Sequence, residues 1–125
     1  MQFKDNKAIY LQIADLICDD ILNDKLIEDE RIPSVREYAA TVEVNANTCV
    51  RSYDWLQNQD IIYTKRGLGY FVNIGAKENI KKMKHSEFMR ETIPEVAQKM
   101  TSLDITMDEL TQAIVAYQIN KKVDD

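Results

Sequence analysis

The sequence predicts an α+β fold, mainly helical, with an N-terminal winged helix-turn-helix followed by a short helical dimerisation tail. Three observations predict it. A short helical pattern opens at Ser34, and a second helix opens at Asn45 after a tight turn. A stretch rich in β-branched and aromatic residues then runs from Ile61 to Val72 around two glycines, which is typical of a hairpin. Helix, turn, helix and hairpin is the order of a winged helix-turn-helix.

The length and composition favour a small protein with one ordinary domain, or a small domain with an appendage. The chain has 125 residues, 45% of them hydrophobic and 30% charged, which is enough for a core and favours solubility. No apolar run approaches the roughly 20 residues of a membrane span. The first residues lack the apolar core of a signal peptide. We therefore expect a cytoplasmic protein without a membrane partner.

The distribution of charge matters more than its sum. A net charge of −5 counts against nucleic acid at first sight. Most acids of the first half bunch within residues 15–30, whereas the bases lie elsewhere, at Arg36, Arg51, Lys65 and Arg66. A protein whose acidic residues lie on one surface and whose few basic residues lie on another is compatible with DNA binding. This distribution predicts weak non-specific affinity and a shallow dependence on salt.

Residues 8–23 are predicted to form the first helix. Asn6 is a suitable N-cap. Three- and four-residue spacing gives one apolar stripe, which we expect in the core: Ile9, Ile13, Leu16, Ile17 and Ile21. Residues 25–31 read as a polar, acidic connection.

The second helix begins with a capping box, in which Ser34 is the N-cap and Glu37 the N3 residue. Its buried face is predicted to hold Val35, Tyr38, Ala39 and Val42. Arg36 lies off that face near the helix N-terminus. Arginine and a helix N-terminus both attract phosphate, so we favour a DNA contact. The alternative is a solvated arginine or a surface ion pair.

The third helix is predicted to run from its N-cap at Asn45 to about Asn58. Its inward face is the set Cys49, Ser52, Tyr53 and Leu56. Its outward face offers Asn47 to an adenine, Thr48 to a phosphate or base edge, and Arg51 to a guanine or phosphate. The alternative is an ordinary amphipathic surface helix.

The hairpin tip consists of residues 65–69. Its two glycines permit a tight turn and the close approach of backbone to a partner at Gly67. The adjacent cations Lys65 and Arg66 suit a phosphate or the minor groove.

Residues 8–73 resemble the N-terminal domain of the GntR family of bacterial transcription regulators. The resemblance lies in four segments, Ile9 to Ala14, Ile32 to Ala39, Val44 to Arg51, and Arg66 to Val72. The segment at residues 45–48, Asn-Ala-Asn-Thr, is similar to the Asn-Pro-Asn-Thr of the YtrA-like subfamily. That subfamily also has a short, dimerising helical C-terminal part.

The resemblance implies a set of DNA-binding residues. The resemblance adds Asn45 as a DNA contact beside Asn47 and Thr48. It also supports DNA contacts at Arg36, Arg51, Arg66 and Gly67. Ser34 and Lys65 complete the candidate set. The sequence departs from the family in four places. Ala46 stands where many members have arginine, and Val50 where several have arginine or lysine. Asp60 replaces a usual glycine, and the usual Pro-Gly is absent between Lys25 and Arg31.

The tail, residues 76–125, is predicted to be a helical dimerisation and possible effector region behind the DNA-binding domain of residues 1–75. Its first apolar seam is Met89, Ile93, Val96, Met100 and Leu103. Pro94 either kinks that helix or opens a new one after Thr92. A capping box at residues 106–109 opens a last helix to about Asn120, whose seam is Met107, Leu110, Ile114 and Tyr117.

The tail also carries a basic cluster, predicted to be a solvated helix face or a phosphate contact: Lys77, Lys81, Lys82 and Lys84. Cys18 and Cys49 are predicted to be buried free thiols. No catalytic triad, carboxylate pair or metal-ligand spacing appears, so we expect no enzyme, no metal and no cofactor. Whether a small-molecule effector binds at a dimer cleft stays open.

These observations lead to one hypothesis and two rivals. The hypothesis is a homodimeric, sequence-specific DNA-binding regulator that represses its own promoter or a nearby transporter operon, a role that the YtrA-like resemblance suggests. A twofold dimer on double-stranded DNA requires a palindromic operator. One rival is a winged-helix protein-interaction module without DNA binding, favoured by the absence of arginine at Ala46 and Val50. The other is an accessory subunit of an enzyme.

Overall fold

A computed structural model describes residues 7–124 of the chain, with side chains through Lys122. The helices are α1 (Ile9–Leu22), α2 (Val35–Val42), α3 (Ala46–Asn58), α4 (Ala76–Glu87), α5 (Ile93–Leu103) and α6 (Met107–Asp124). The strands are β1 (Ile62–Lys65) and β2 (Gly69–Val72), and a π-helical segment spans Phe88–Thr92. The chain divides into two compact units, of which the first ends at Lys84 and the second begins at His85. The α+β, mainly helical fold is confirmed.

Helix α1 contributes one face to the core. Ile13, Ile17 and Ile21 are buried as expected, whereas Ile9 at the helix start is exposed. The helix begins one residue later than predicted, with Ala8 at the N-cap position and no side-chain cap. Asn6, the expected cap, lies outside the described residues.

The capping box of α2 is present in both directions. The Glu37 amide donates to Ser34 Oγ at 3.2 Å, and the Ser34 amide donates to Glu37 Oε1 at 3.1 Å. The bond that the Ser34 amide donates to the carboxylate is the first cause, and the Ser34 side chain the second, that hold the pKa of the Glu37 carboxyl below its usual value. The helix ends at Val42, and Glu43 makes the turn with a φ of 58°. The start and direction of α2 are thus fixed locally.

Helix α3 is tied to three other parts of the first unit. Tyr53 is fully buried, and its hydroxyl donates to the Pro33 carbonyl at 2.7 Å. Its ring meets that of Tyr70 in β2 edge-on, with centroids 4.9 Å apart. Ser52 Oγ donates to the Tyr10 carbonyl at 2.7 Å. The inward face predicted for α3 is confirmed, and it sets α3 against α1, the start of α2 and the hairpin.

The hairpin pairs β1 with β2 antiparallel, from Ile62 opposite Val72 to Lys65 opposite Gly69. A further segment joins its edge. Ile32 donates to the Tyr70 carbonyl at 3.0 Å, Val72 donates to Glu30 at 3.1 Å, and Arg31 forms an isolated bridge with Phe71. The description of residues 25–31 as a mere connection was therefore wrong at its end, because backbone pairing there satisfies the free edge of β2.

Most of helix α4 belongs to the first unit, and it contributes Ala76 and Ile80 to that unit's core, both fully buried. Lys84 Nζ lies 3.3 Å from Asp15 of α1, and Lys77 Nζ lies 2.9 Å from Asp24. These two lysines are therefore ion-paired to the winged unit and do not belong to a solvated face.

At Pro94 the helical backbone of the second unit is not interrupted. A π-helical turn spans Phe88–Thr92, Thr92 and Ile93 keep right-handed helical dihedrals, and α5 follows directly with Pro94 in its first turn. Thr106 Oγ1 accepts from the Glu109 amide at 3.1 Å, which confirms a cap for α6. No described side chain from His85 to Lys122 is buried. Across residues 7–124, no helix is both long and apolar enough to span a membrane.

Candidate nucleic-acid interface

The first turn of α3 presents small polar side chains to solvent. Asn45 and Asn47 are exposed, and Thr48 is half-buried. Asn45 Oδ1 accepts from the Asn47 amide at 2.7 Å, so the Asn45 cap leaves its side-chain NH₂ as a donor. The Asn47 side chain keeps both its donors and its acceptor, which is the set that a bidentate contact to adenine uses.

Arg51, one turn further along α3, is held against α1. Its guanidinium carbon lies 4.1 Å from the centre of the Tyr10 ring. A stacked arginine keeps its in-plane N–H donors available while its direction is restricted. The arrangement therefore preorganises Arg51 next to the exposed start of α3.

Arg36 lies in the first turn of α2, two residues after the Ser34 cap. It is exposed, and it makes no hydrogen bond or ion pair to any described residue. The α2 N-terminus adds its own partial positive charge at this point. The Ser34 hydroxyl is already engaged as the acceptor of the cap. The Arg36 guanidinium makes none of its N–H bonds to a described residue, so all its donors are available to a partner.

The tip of the hairpin carries two adjacent cations, Lys65 and Arg66, whose surroundings differ. Lys65 Nζ lies 4.4 Å from the Phe71 ring centre and 5.8 Å from that of Tyr63, so the lysine rests on the aromatic face of the hairpin. Arg66 is exposed in the turn. Gly67 has a φ of 78° and nothing within 4 Å of where a Cβ would stand, which leaves its backbone open to a partner.

Arg31 was missed by the sequence analysis. Gly69 has a φ of 106°, and the Arg31 guanidinium lies across it, with Nε 3.3 Å from where a Cβ on Gly69 would stand. The available signal was slight, a single cation at the end of an acidic run. The pairing that brings residue 31 to the hairpin is non-local.

The described residues offer little for other chemistry. Among residues 7–124 there is no group of three or more histidines, cysteines or acids placed to hold a metal ion. Cys18 and Cys49 are buried free thiols, as predicted. Burial, above all, raises the pKa of the Cys18 thiol to about 12, which makes it a poor nucleophile.

The profile of the gntR family of bacterial regulatory proteins matches residues 9–72, a little over half of the chain. The chain belongs to the GntR family. It is 34% identical over 116 residues to the HTH-type transcriptional regulator YhcF of Bacillus subtilis, covering 93% of this chain and 94% of YhcF. The HTH-type transcriptional repressor YtrA of the same bacterium is 31% identical over 77 residues, covering 62% of this chain and 59% of YtrA.

A solved structure supports the same assignment. A GntR-family transcriptional regulator from Bacteroides thetaiotaomicron superposes with a TM-score of 0.74 at 45% identity, covering 91% of this chain and 99% of that one. The expected resemblance to GntR and YtrA-like regulators is confirmed. The protein is a transcriptional regulator with a DNA-binding winged helix, and its relatives are regulators and not enzymes. Helix α3 is accordingly the recognition helix, and the hairpin is the wing.

Proposed function

We propose that this GntR-family regulator is a homodimeric repressor that binds a palindromic operator at its own promoter or that of a nearby transporter operon. The observation that carries the proposal is the exposed polar start of the recognition helix. There the Asn47 side chain makes no hydrogen bond to a described residue, and only its backbone amide is used by the Asn45 cap. The relative YtrA is named a transcriptional repressor, which favours repression over activation. Such a protein acts in the cytoplasm, where bacterial DNA lies.

The proposed contacts divide into those that specify and those that position. Asn47 and Thr48 read base edges in the major groove, and Arg51 adds a guanine or phosphate contact from its stacked position on Tyr10. Arg36 and the α2 N-terminus hold one stretch of phosphates. Asn45 adds its remaining amide donors at the start of α3, and the Ser34 cap fixes the start of α2.

The wing supplies the second positioning element. Arg66 and the open backbone of Gly67 reach the flanking phosphates or the minor groove, with Lys65 behind them on the aromatic face. One copy has few base contacts, because Ala46 and Val50 carry no cationic group. Specificity therefore depends on two copies that bind two half-sites together.

The second unit favours such a dimer. Its apolar seams are open to solvent: Met89 is 54% exposed, Leu103 67% and Tyr117 70%, and Ile93 and Ile114 are also exposed. Val96, Met100 and Leu110 are half-buried and complete the seams. Helices with exposed apolar seams need a partner, and we propose that this partner is a second copy.

Titration of a labelled duplex from the gene's own upstream region, at two salt concentrations, tests the proposal. We expect a shift that is selective over a scrambled duplex and weaker at higher salt. Asn47→Ala should reduce selectivity, whereas Arg36→Ala should weaken binding to both duplexes. Asn58→Ala, an exposed and uncharged change at the far end of the same helix, is the matched control.

The outcome also discriminates the rival function. A winged helix that serves only as a protein-interaction module would give no salt-sensitive, selective shift. The absence of arginine at Ala46 and Val50 favours the rival, and the acidic residues 15–30 would be its docking surface. Full binding by both the Asn47 and the Arg36 variants would contradict the site assignment while leaving DNA binding intact.

A further inference from the structure

Arg31 occupies a fixed backbone position between two parts of the DNA interface. It lies three residues before the Ser34 cap of α2 and bridges Phe71 in β2. The hydrogen bonds from Ile32 to Tyr70 and from Val72 to Glu30 flank the bridge at 3.0 and 3.1 Å. The backbone at residue 31 is thus part of the wing sheet and does not move independently of it.

The Arg31 side chain is exposed, and it lies against the wing. Its Nε, Nη2 and Cζ atoms are 3.3, 3.8 and 3.9 Å from where a Cβ on Gly69 would stand. Glycine at position 69 therefore provides the space in which the guanidinium lies close to the wing backbone.

The Arg31 side chain donates no hydrogen bond within the described part of the chain. An arginine carries five N–H donors and no acceptor. No described residue accepts a hydrogen bond from the Arg31 side chain or pairs with it within 4 Å. Its charge does reach the first turn of α2, where it adds to the effect of Ser34 in lowering the pKa of Glu37. Arg31 is thus an exposed cation with no ion pair within 4 Å among the described residues, and it lies beside α2 and the hairpin.

We propose that Arg31 is a further phosphate contact of this regulator, one that joins the contacts of Arg36 at the α2 N-terminus to those of Arg66 in the wing. The proposal rests on the proposed function, because it requires DNA on the face formed by α3, α2 and the wing. A guanidinium fork matches two phosphate oxygens. Because the backbone at residue 31 is already fixed by its pairing with β2, binding has to order the side chain alone, and less entropy is lost.

The test counts phosphates through the salt dependence of binding. We would measure Kd for two duplexes of about 40 base pairs, long enough for two half-sites one or two turns apart. One is the gene's own upstream region and the other is a scrambled sequence. The variants are Arg31→Gln, which keeps most of the stem and removes the charge, and Arg31→Lys, which keeps the charge. Lys25→Ala is the matched control, since it removes one exposed charge beside Asp24, whose carboxylate binds Lys77.

We expect Arg31→Gln to weaken binding to both duplexes by a similar factor, roughly tenfold. The magnitude of the slope of log K against log salt should decrease by about 0.9 for each phosphate contact that the substitution removes. Arg31→Lys should retain the wild-type slope with intermediate affinity, and Lys25→Ala should match the wild type. Thermal unfolding of each variant reports whether the wing is intact.

Three results would overturn the inference. The first is an unchanged slope for Arg31→Gln while the wild-type protein binds DNA, which would leave Arg31 with a structural role only. The second is an equal loss of slope in Lys25→Ala, which would indicate a general effect of net charge. The third is wild-type protein without salt-dependent binding, which would remove the proposed function as well; the first two remove the inference alone.

Discussion

The Asn79 side chain in α4 donates a 3.0 Å hydrogen bond to the carbonyl of Gln59, the C-cap residue of the recognition helix. Asn73 donates in the same way to the Asp60 carbonyl at 2.8 Å. The last carbonyls of a helix have no partners within it. Asn79 therefore bonds the C-cap residue of α3 from outside and ties the helix exit to α4, while Asn73, directly after β2, bonds the next residue along.

The first prediction concerns this external cap. Asn79→Ala should lower the free energy of unfolding by about 1 kcal/mol, because it removes one hydrogen bond at a half-buried site. Asn58→Ala, at the exposed last residue of α3, is the matched control and should change it by less than about 0.5 kcal/mol. Urea denaturation measures both. Equal stability of the two variants would show that the cap adds nothing.

A second prediction concerns Tyr53, the buried residue that links α3 to the start of α2. Tyr53→Phe leaves the Pro33 carbonyl without its donor, and we expect a loss of about 1–3 kcal/mol in the free energy of unfolding. Tyr63→Phe is the control, since the Tyr63 hydroxyl bonds to Asp29 at the exposed side of the wing. The same urea titrations apply. If Tyr63→Phe cost as much as Tyr53→Phe, burial would not explain the effect.

The sequence predicted those parts of the molecule that depend on local signals. The Ser34–Glu37 capping box and the Asn45 cap gave the starts of α2 and α3, because a cap involves residues only two or three apart. Apolar spacing likewise identified the inward face of α3 around Tyr53. These are interactions that the chain makes with its near neighbours.

Contacts between distant residues were not predictable in this way. Lys84 looked like part of a solvated face, yet it pairs with Asp15, 69 residues away. Arg31 looked like the end of a loop, yet it bridges β2. Arg51 was expected on the surface and is exposed, but its stacking on Tyr10 depends on how α1 crosses α3. Spacing along the chain carries no information about such pairings until the fold is known.

A third prediction concerns the thiols. Burial raises the pKa of Cys18 to about 12 and that of Cys49 above the ordinary value of 9.0. Folded protein at pH 8 should react slowly with a thiol reagent, whereas denatured protein should show both thiols at once. A thiol whose pKa is raised by folding favours the folded state below pH 9. That contribution is lost as the pH rises from about 9 towards 12, so urea midpoints should fall in that range. Rapid labelling of the folded protein would contradict the burial of both side chains.

The last prediction tests the seam of the second unit. Ile93→Glu or Ile114→Glu would place a carboxylate in the proposed dimer contact, and an unpaired charge costs several kcal/mol to remove from water. We expect the dimer to weaken by roughly a hundredfold or more, measured as mass by light scattering over a concentration series. Gln98→Glu, exposed and off the seam of α5, is the control and should remain dimeric. If binding requires two half-sites together, affinity for the upstream duplex should fall in the two seam variants, while the unfolding of the winged unit stays unchanged. A dimer that persists in both seam variants would place the interface on another surface of the chain.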